Sequence, residues 1–274
     1  MKTLIVGAKG MLGSMLGQVF AEHAPVSWDK EEIDIAVMEQ VRNKVKGLMP
    51  ELIINAAAYT NVDGAETDKE TVFAVNELGV ANLATVAQEI DALLVHYSTD
   101  YVFPGDKKEG YAEHDPPGPA VNVYGQSKLA GERALSTIKP RYYLLRTAWL
   151  YGPGGRNFVT TMLQLAQEHK LLSVVSDQYG CPTFTKDLAQ ATRAIIEQQY
   201  PLGIYHTVND GVASWFEFAQ KIFEYSDITA DIKPTTSAEF PRPAKRPAYS
   251  ILLNTKGPRL RRWQQALDEY VRLL

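Results

Sequence analysis

At 274 residues, 45% apolar and 22% charged, the chain is long enough to bury a large core, as one big α/β domain or as a domain with a cap. Its 28 basic and 32 acidic side chains leave a net charge of −4, which argues against general nucleic-acid binding. A single cysteine, Cys181, rules out an intrachain disulfide and fits a reducing compartment. No run approaches the roughly 18 apolar residues of a membrane span, so a cytoplasmic protein with no membrane partner is expected.

Thr3-Leu4-Ile5-Val6 predicts a buried strand that runs straight into Gly7-Ala8-Lys9-Gly10-Met11-Leu12-Gly13. Met11, Leu12, Met15, Leu16, Val19 and Phe20 then recur at helical spacing. Strand, glycine turn and helix are the parts of a dinucleotide site. The glycines let the backbone approach a pyrophosphate, which sits against free N–H groups at the positive end of the helix. A glycine-rich turn without a ligand is the plainer reading. Val26-Ser27-Trp28-Asp29 predicts the second strand. Asp29 at its end suits the adenosine ribose of NAD, whereas Lys30 tolerates the 2′-phosphate of NADP, so both cofactors stay open. Asp34 and Ile35 follow in a loop placed to flank the adenine, unless Asp34 caps the next helix.

Residues 51–58 predict a third strand running out into Asn55, Ala56, Ala57 and Ala58, small enough at a strand's C-terminal edge for a cofactor to pass. Tyr59-Thr60-Asn61-Val62-Asp63 predicts a loop, and 69–90 a long helix containing Asn76, an amide that reads equally as structural or functional. Residues 92–97 predict the fourth strand, which ends in Ser98-Thr99-Asp100-Tyr101. There Thr99 either donates to a carbonyl oxygen on which charge builds, or caps a turn. A Gly- and Pro-rich loop, 105–119, delivers the chain to a helix from Asn122 to about Thr137. Tyr124 and Lys128, four residues apart near its start, share one face. A phenol normally keeps its proton until roughly pH 10. A nearby ammonium stabilises the phenolate, so the pair can pass a proton to and from a reacting oxygen at neutral pH.

Residues 142–146 predict a fifth strand ending at Trp149, and the glycines at 152–155 break the chain before a helix that begins at Asn157. Residues 172–175 are expected as a sixth strand, with helix 185–199 and a short strand 204–208 completing the sheet. Cys181 lies in a Gly-Cys-Pro turn and reads as structural. Ser214-Trp215-Phe216-Glu217 matches a capping box. The basic, proline-rich stretch 240–247 either closes over a diphosphate or is a solvated loop, and 262–274 is a short amphipathic helix. The five histidines are too scattered to propose a metal cluster, and no metal site is assigned.

Several of these stretches resemble one family along nearly the whole chain. They are Gly7-x-x-Gly10-x-x-Gly13, the run from Asn55 to Asp63, Ser98-Thr99-Asp100-Tyr101-Val102-Phe103, Tyr124-Gly125-x-x-Lys128, Arg146-Thr147-Ala148-Trp149 and Asp177-Gln178-x-Gly180-x-Pro182-Thr183. The family is that of the extended short-chain dehydrogenases/reductases. More narrowly, the chain is similar to the branch that reduces the C4 ketone of a dTDP-4-keto-6-deoxyhexose to give dTDP-L-rhamnose. The expected fold is a Rossmann-type doubly wound parallel sheet with a smaller, discontinuous C-terminal substrate-binding domain. Residues 1–150 plus about 171–206 would form the NAD(P)-binding domain, and about 151–170 with 207–274 the sugar-nucleotide domain.

The resemblance implies Thr99, Tyr124 and Lys128 as catalytic residues. It implies Gly7, Gly10, Met11, Leu12, Asp34, Ile35, Ala56, Ala57 and Ala58 as cofactor contacts, to which Asp29, Tyr59 and Lys128 are added by position. Thr60, Val62, Tyr101 and Trp149 would hold the deoxysugar together with Thr99 and Tyr124. Reduced NADP or NAD is the implied cofactor and a dTDP-sugar the implied partner. Some members use magnesium at a dimer interface; no motif here places such ligands, so neither magnesium nor a homodimer is assigned. Related sugar-nucleotide 4,6-dehydratases follow the threonine with Asp-Glu. Asp100-Tyr101 lacks the second carboxylate, which favours carbonyl reduction over dehydration. Departures from the family pattern are one extra residue within 119–122, and Tyr249 and Asn254 where an asparagine and an aspartate are expected. The alternatives are another sugar-nucleotide ketoreductase or epimerase, and a non-catalytic NADP-binding regulatory subunit like that of methionine adenosyltransferase.

Overall fold

The computed structural model describes residues 1–168 and 171–274, and the domain boundary expected near residue 170 lies outside the described residues. The chain opens with β1 (Thr3–Val6), α1 (Met11–Val19), β2 (Val26–Trp28), α2 (Met38–Leu48) and β3 (Leu52–Asn55). α3 (Lys69–Phe73) passes through a π turn, Ala74–Leu78, into α4 (Gly79–Glu89), so the long helix expected over 69–90 carries one widened turn, at Asn76. β4 (Leu93–Thr99), α5 (Val123–Ile138) and β5 (Arg141–Thr147) follow. Next come β6 (Leu150–Tyr151), α6 (Phe158–Glu168), β7 (Leu171–Val175), β8 (Tyr179–Gly180), β9 (Thr183–Phe184), α7 (Thr185–Glu197) and β10 (Gly203–His206). The last elements are β11 (Ala213–Ser214), α8 (Trp215–Tyr225), β12 (Asp231–Thr235) and α9 (Trp263–Val271).

Among the described residues, six parallel strands form the large sheet in the order β10-β5-β4-β3-β1-β2. β1 and β3 are buried at every position, as strands covered by helices on both faces must be. Val41, Val45, Leu83 and Val86 pack on one face, against Leu4, Val6, Ile53 and Leu94. Leu12, Leu16, Leu188 and Ile195 pack on the other, against Ile5, Ile54, Val95 and Leu145. The strand order reverses between β1 and β3, where connections leaving in opposite directions open a crevice at the C-terminal strand ends. The expected doubly wound sheet is present.

One expected strand lies elsewhere. The sequence predicts residues 172–175 in the large sheet, but β7 pairs in parallel with β12 in a separate two-stranded sheet, and β10 supplies the sixth strand. The physical difference is burial. Leu172 and Val174 point inward while Leu171 and Ser173 face solvent, so β7 has one covered face. A short apolar run does not distinguish that situation from a strand covered on both sides. The chain therefore leaves the large sheet after β5, returns through α7 to β10 and leaves again, and the two excursions share a second core around Tyr151, Phe184, Phe218, Ile222, Trp263 and Leu267. No helix among the described residues is long and apolar enough to cross a membrane.

Candidate active site

β1 ends in Gly7, whose φ of +77° lies in the left-handed region that glycine adopts freely. A Cβ on Gly7 would stand 2.5 Å from the Ala57 amide nitrogen, and one on Gly13 would stand 2.0 Å from the Gly7 carbonyl oxygen. The turns after β1 and β3 and the start of α1 thus meet backbone to backbone. Gly10 precedes α1 without a side-chain cap, which leaves the first-turn amides free at the positive end of the helix. A cradle that side chains would fill, next to uncapped helix amides, fits a dinucleotide pyrophosphate.

Beside this cradle a cavity of about 650 Å³ is lined by Gly7, Gly10, Asp29, Asp34, Ile35, Ala56, Ala57, Ala58 and Tyr59. The Asp29 carboxylate accepts from the Lys9 amide at 2.9 Å and the Lys30 amide at 2.8 Å, which braces the glycine turn. Asp34 accepts from the Ala36 amide at 2.9 Å. It does not cap α2, whose N-cap position is Val37.

A second cavity, about 590 Å³, shares Gly10, Ala56, Ala57 and Ala58 with the first and adds Met11, Leu12, Thr60, Thr99, Tyr124, Lys128 and Trp149. Two expected sugar contacts, Val62 and Tyr101, line neither cavity. Tyr101 instead packs edge-on against the Tyr124 ring, with centroids 5.9 Å apart.

α5 presents Tyr124 and Lys128 because its first turn is pinned. The Asn122 side chain accepts from the Gly125 amide and donates to the Lys245 carbonyl, both at 2.8 Å, while Glu66 accepts from the Val123 amide at 2.9 Å. Buried Asn76 uses its whole amide, accepting from the Tyr59 amide and donating to the Tyr59 carbonyl and the Ser127 hydroxyl. It is a structural amide that ties the loop after β3 to α5.

Burial pushes the Tyr124 phenol up to about 12, against the pull of the Thr99 hydroxyl. Lys128, 3% exposed, donates to the Tyr97 carbonyl at 2.6 Å. Burial brings its ammonium down to about 8, opposed by Glu132. Burial, with the Asp100 carboxyl beside it, holds the proton on Tyr124, and the Thr99 hydroxyl pulls the other way. Thr99 caps the turn after β4 by accepting from the Tyr101 amide at 3.2 Å, and it borders the phenol as well. Its hydroxyl donates to Asp100 at 2.9 Å. Burial pushes the Asp100 carboxyl up to about 7, against the Ser250 and Thr99 hydroxyls.

Sequence spacing missed the role of Asp63. Its carboxylate accepts from the Arg242 and Arg246 guanidiniums, which tie down the basic stretch 240–247. Burial pushes Asp63 up, but Arg246 and Arg242 outweigh it and hold the carboxyl at about 2. Partners 179 and 183 residues apart leave no local pattern to find. Cys181 is buried with its thiol directed at the Leu252 carbonyl, and burial pushes it up to about 12, so it is an inert thiol. Glu22, His23 and Glu197 meet on the surface, where Arg193 bonds both carboxylates.

Over residues 1–274 the chain matches the family described as the RmlD substrate binding domain. It is 40% identical over 280 residues to a dTDP-4-dehydrorhamnose reductase of Mycolicibacterium smegmatis, covering 98% of this chain and 85% of the relative. It is 41% identical over 278 residues to a Streptomyces antibioticus protein named a probable dTDP-4,6-dihydroxy-2-methyloxan-3-one 4-ketoreductase, covering 98% of this chain and 94% of the relative. A crystal structure of dTDP-4-dehydrorhamnose reductase from Bacillus anthracis in complex with NADP matches at a TM-score of 0.96 and 39% identity, each chain covered to 100%. Glycine cradle, fold and these likenesses agree: the chain belongs to the RmlD family of dTDP-4-dehydrorhamnose reductases, within the extended short-chain dehydrogenases/reductases.

Proposed function

We propose that the chain reduces the C4 ketone of dTDP-4-dehydro-L-rhamnose to dTDP-L-rhamnose, with Thr99, Tyr124 and Lys128 as its catalytic residues. The observation that carries this reading is a half-buried, neutral phenol beside a hydroxyl and an ammonium, on the wall of a cavity that continues into the glycine cradle. The bound NAD(P)H supplies the hydride. Tyr124 gives its proton to the C4 oxygen as negative charge builds there, and Thr99 holds that oxygen against the phenol. Lys128, anchored on β4, positions the nicotinamide ribose. The first-turn amides of α1 hold the pyrophosphate, and Asp29, Asp34, Ile35 and Tyr59 border the adenosine. Thr60, Val62, Tyr101 and Trp149 hold the deoxysugar, Thr60 and Trp149 from the cavity wall. The second core, from about 149–184 and 207–274, forms the sugar-nucleotide half. A lone buried thiol suits a cytoplasmic enzyme.

Loss of absorbance near 340 nm, with NADPH and with NADH, tests the activity on substrate made in situ from dTDP-glucose by a dehydratase and an epimerase. Tyr124→Phe is expected to lower kcat by about 10²–10⁴-fold and to leave cofactor binding within about twofold of the parent. Near-normal turnover in that variant removes Tyr124 from its role. The Streptomyces antibioticus relative favours a second reading, reduction of another dTDP-linked keto sugar. Comparing kcat/KM over several 4-keto sugar nucleotides separates the two.

A further inference from the structure

Trp149 occupies an uncommon backbone state. Its φ is +48°, in the left-handed region that a bulky residue adopts only where its surroundings impose it. The surroundings are specific. The Trp215 indole lies flat on the Trp149 indole, with ring centroids 3.5 Å apart and planes 5° from parallel. Gly180 sits against the ring edge, where an added Cβ would stand 2.5 Å from Trp149 Cε2. The Trp149 carbonyl accepts from the Thr183 amide at 3.2 Å.

Trp215 is itself held. It is the first residue of α8, behind the capping box that Ser214 and Glu217 complete. Its Nε1 donates to Gln178 at 3.2 Å, and Gln178 donates in turn to the Ser237 hydroxyl at 2.9 Å. The Phe158 ring packs on it with centroids 4.6 Å apart. Trp149 lines the reaction cavity with Tyr124 and Lys128, whereas Trp215 does not.

We propose that Trp215 is a positioning residue of the sugar site: by covering one face of the Trp149 indole, it holds that ring in place against the ketosugar, and the missing side chain at Gly180 makes the room. The inference rests on the reading above that Trp149 touches the deoxysugar. A flat ring serves as a platform for a sugar only if its plane is already fixed. An indole without its stacking partner must be ordered afresh at each binding event, which weakens binding. Ground state and transition state use the platform alike, so its loss appears in KM and not in kcat.

Steady-state kinetics on Trp215→Ala, Trp149→Ala and the double variant test this. Trp215→Ala is expected to raise KM for the sugar nucleotide about tenfold, the reach of one lost aromatic pair, with kcat and the cofactor KM changed less than about twofold. Trp215→Phe, which keeps a flat ring, restores most of the loss. In the Trp149→Ala background Trp215→Ala adds nothing further. Gly180→Ala leaves Trp215 in place but drives a methyl into the indole, and raises the sugar KM likewise; it carries the test if Trp215→Ala does not fold. The exciton couplet that two stacked indoles give in far-ultraviolet circular dichroism disappears in either single tryptophan variant. Additive KM effects in the double variant, or an unchanged KM in Trp215→Ala once the couplet is gone, overturn the positioning role and leave Trp149 as a contact. An unchanged KM in Trp149→Ala overturns the contact itself, and the inference falls with it.

Discussion

A group that gives a proton must still hold one when the substrate arrives. Burial would do this for Tyr124 in its proposed role, keeping its phenol neutral well above pH 7. The same burial works against Lys128, whose charged form is the one disfavoured, and brings it to about 8. The folded-state value is depressed below the ordinary 10.5, so the charged ammonium costs stability below about pH 8 and that cost disappears as pH rises. The proposed role runs the other way, because a neutral amine would hold a ribose and a carbonyl less firmly. kcat/KM for the sugar nucleotide is therefore expected to fall above about pH 8, with the limb set by Lys128 in the free enzyme. A profile flat to about pH 10 contradicts that assignment.

At the scale of the element, α5 is a row of functions one turn apart. Tyr124, Lys128 and Glu132 follow at intervals of four along the helix. Glu132 accepts from Arg146 of β5 through two hydrogen bonds, 2.9 and 2.7 Å, and the guanidinium is 1% exposed. Arg146 also stacks over Phe103, at 5.0 Å from the ring centroid. α5 is thus fastened to the sheet by a buried ion pair one turn beyond the Lys128 ammonium. Removing one partner strands the other charge. Glu132→Leu is expected to cost about 3–5 kcal/mol in denaturant unfolding, and much of this returns when Arg146→Met is added. A midpoint equal to the parent's in the single variant would mean that the pair does not hold α5. The row could be read from sequence as far as Lys128, since helical spacing alone puts Tyr124 and Lys128 on one face. Its anchor could not, because Arg146 joins Glu132 through the fold and no local pattern links them.

Across the whole molecule the two cores are joined by a strap. Residues 240–247 come from the later half of the chain, yet Arg242, Arg246 and the Ala244 amide all bond Asp63 in the loop after β3. The two arginines hold Asp63 at about 2, below its ordinary 3.8, so the stability it contributes is complete above pH 3.8 and lost as pH falls toward 2. Asp63→Asn is expected to speed hydrogen exchange at Ala244 by at least about tenfold while amides of β4 keep their protection. Unchanged exchange at Ala244 would show that the strap is held by other contacts. Neither this clamp nor the pairing of β7 with β12 was legible in the sequence. Each is decided by contacts between distant segments, whereas the glycine turn announces itself within a few residues of its strand and helix.

The position of α9 bears on how the cavity wall keeps its shape. Trp263, Leu267 and Tyr270 fill the second core, and the Tyr270 hydroxyl donates to the Gly152 carbonyl and accepts from the Asn157 side chain. Gly154 and Gly155 in that same loop line the reaction cavity. Tyr270 thus reaches back 118 residues to fix the wall of a cavity that it does not itself line, so a substitution in α9 is felt at a site the helix never touches.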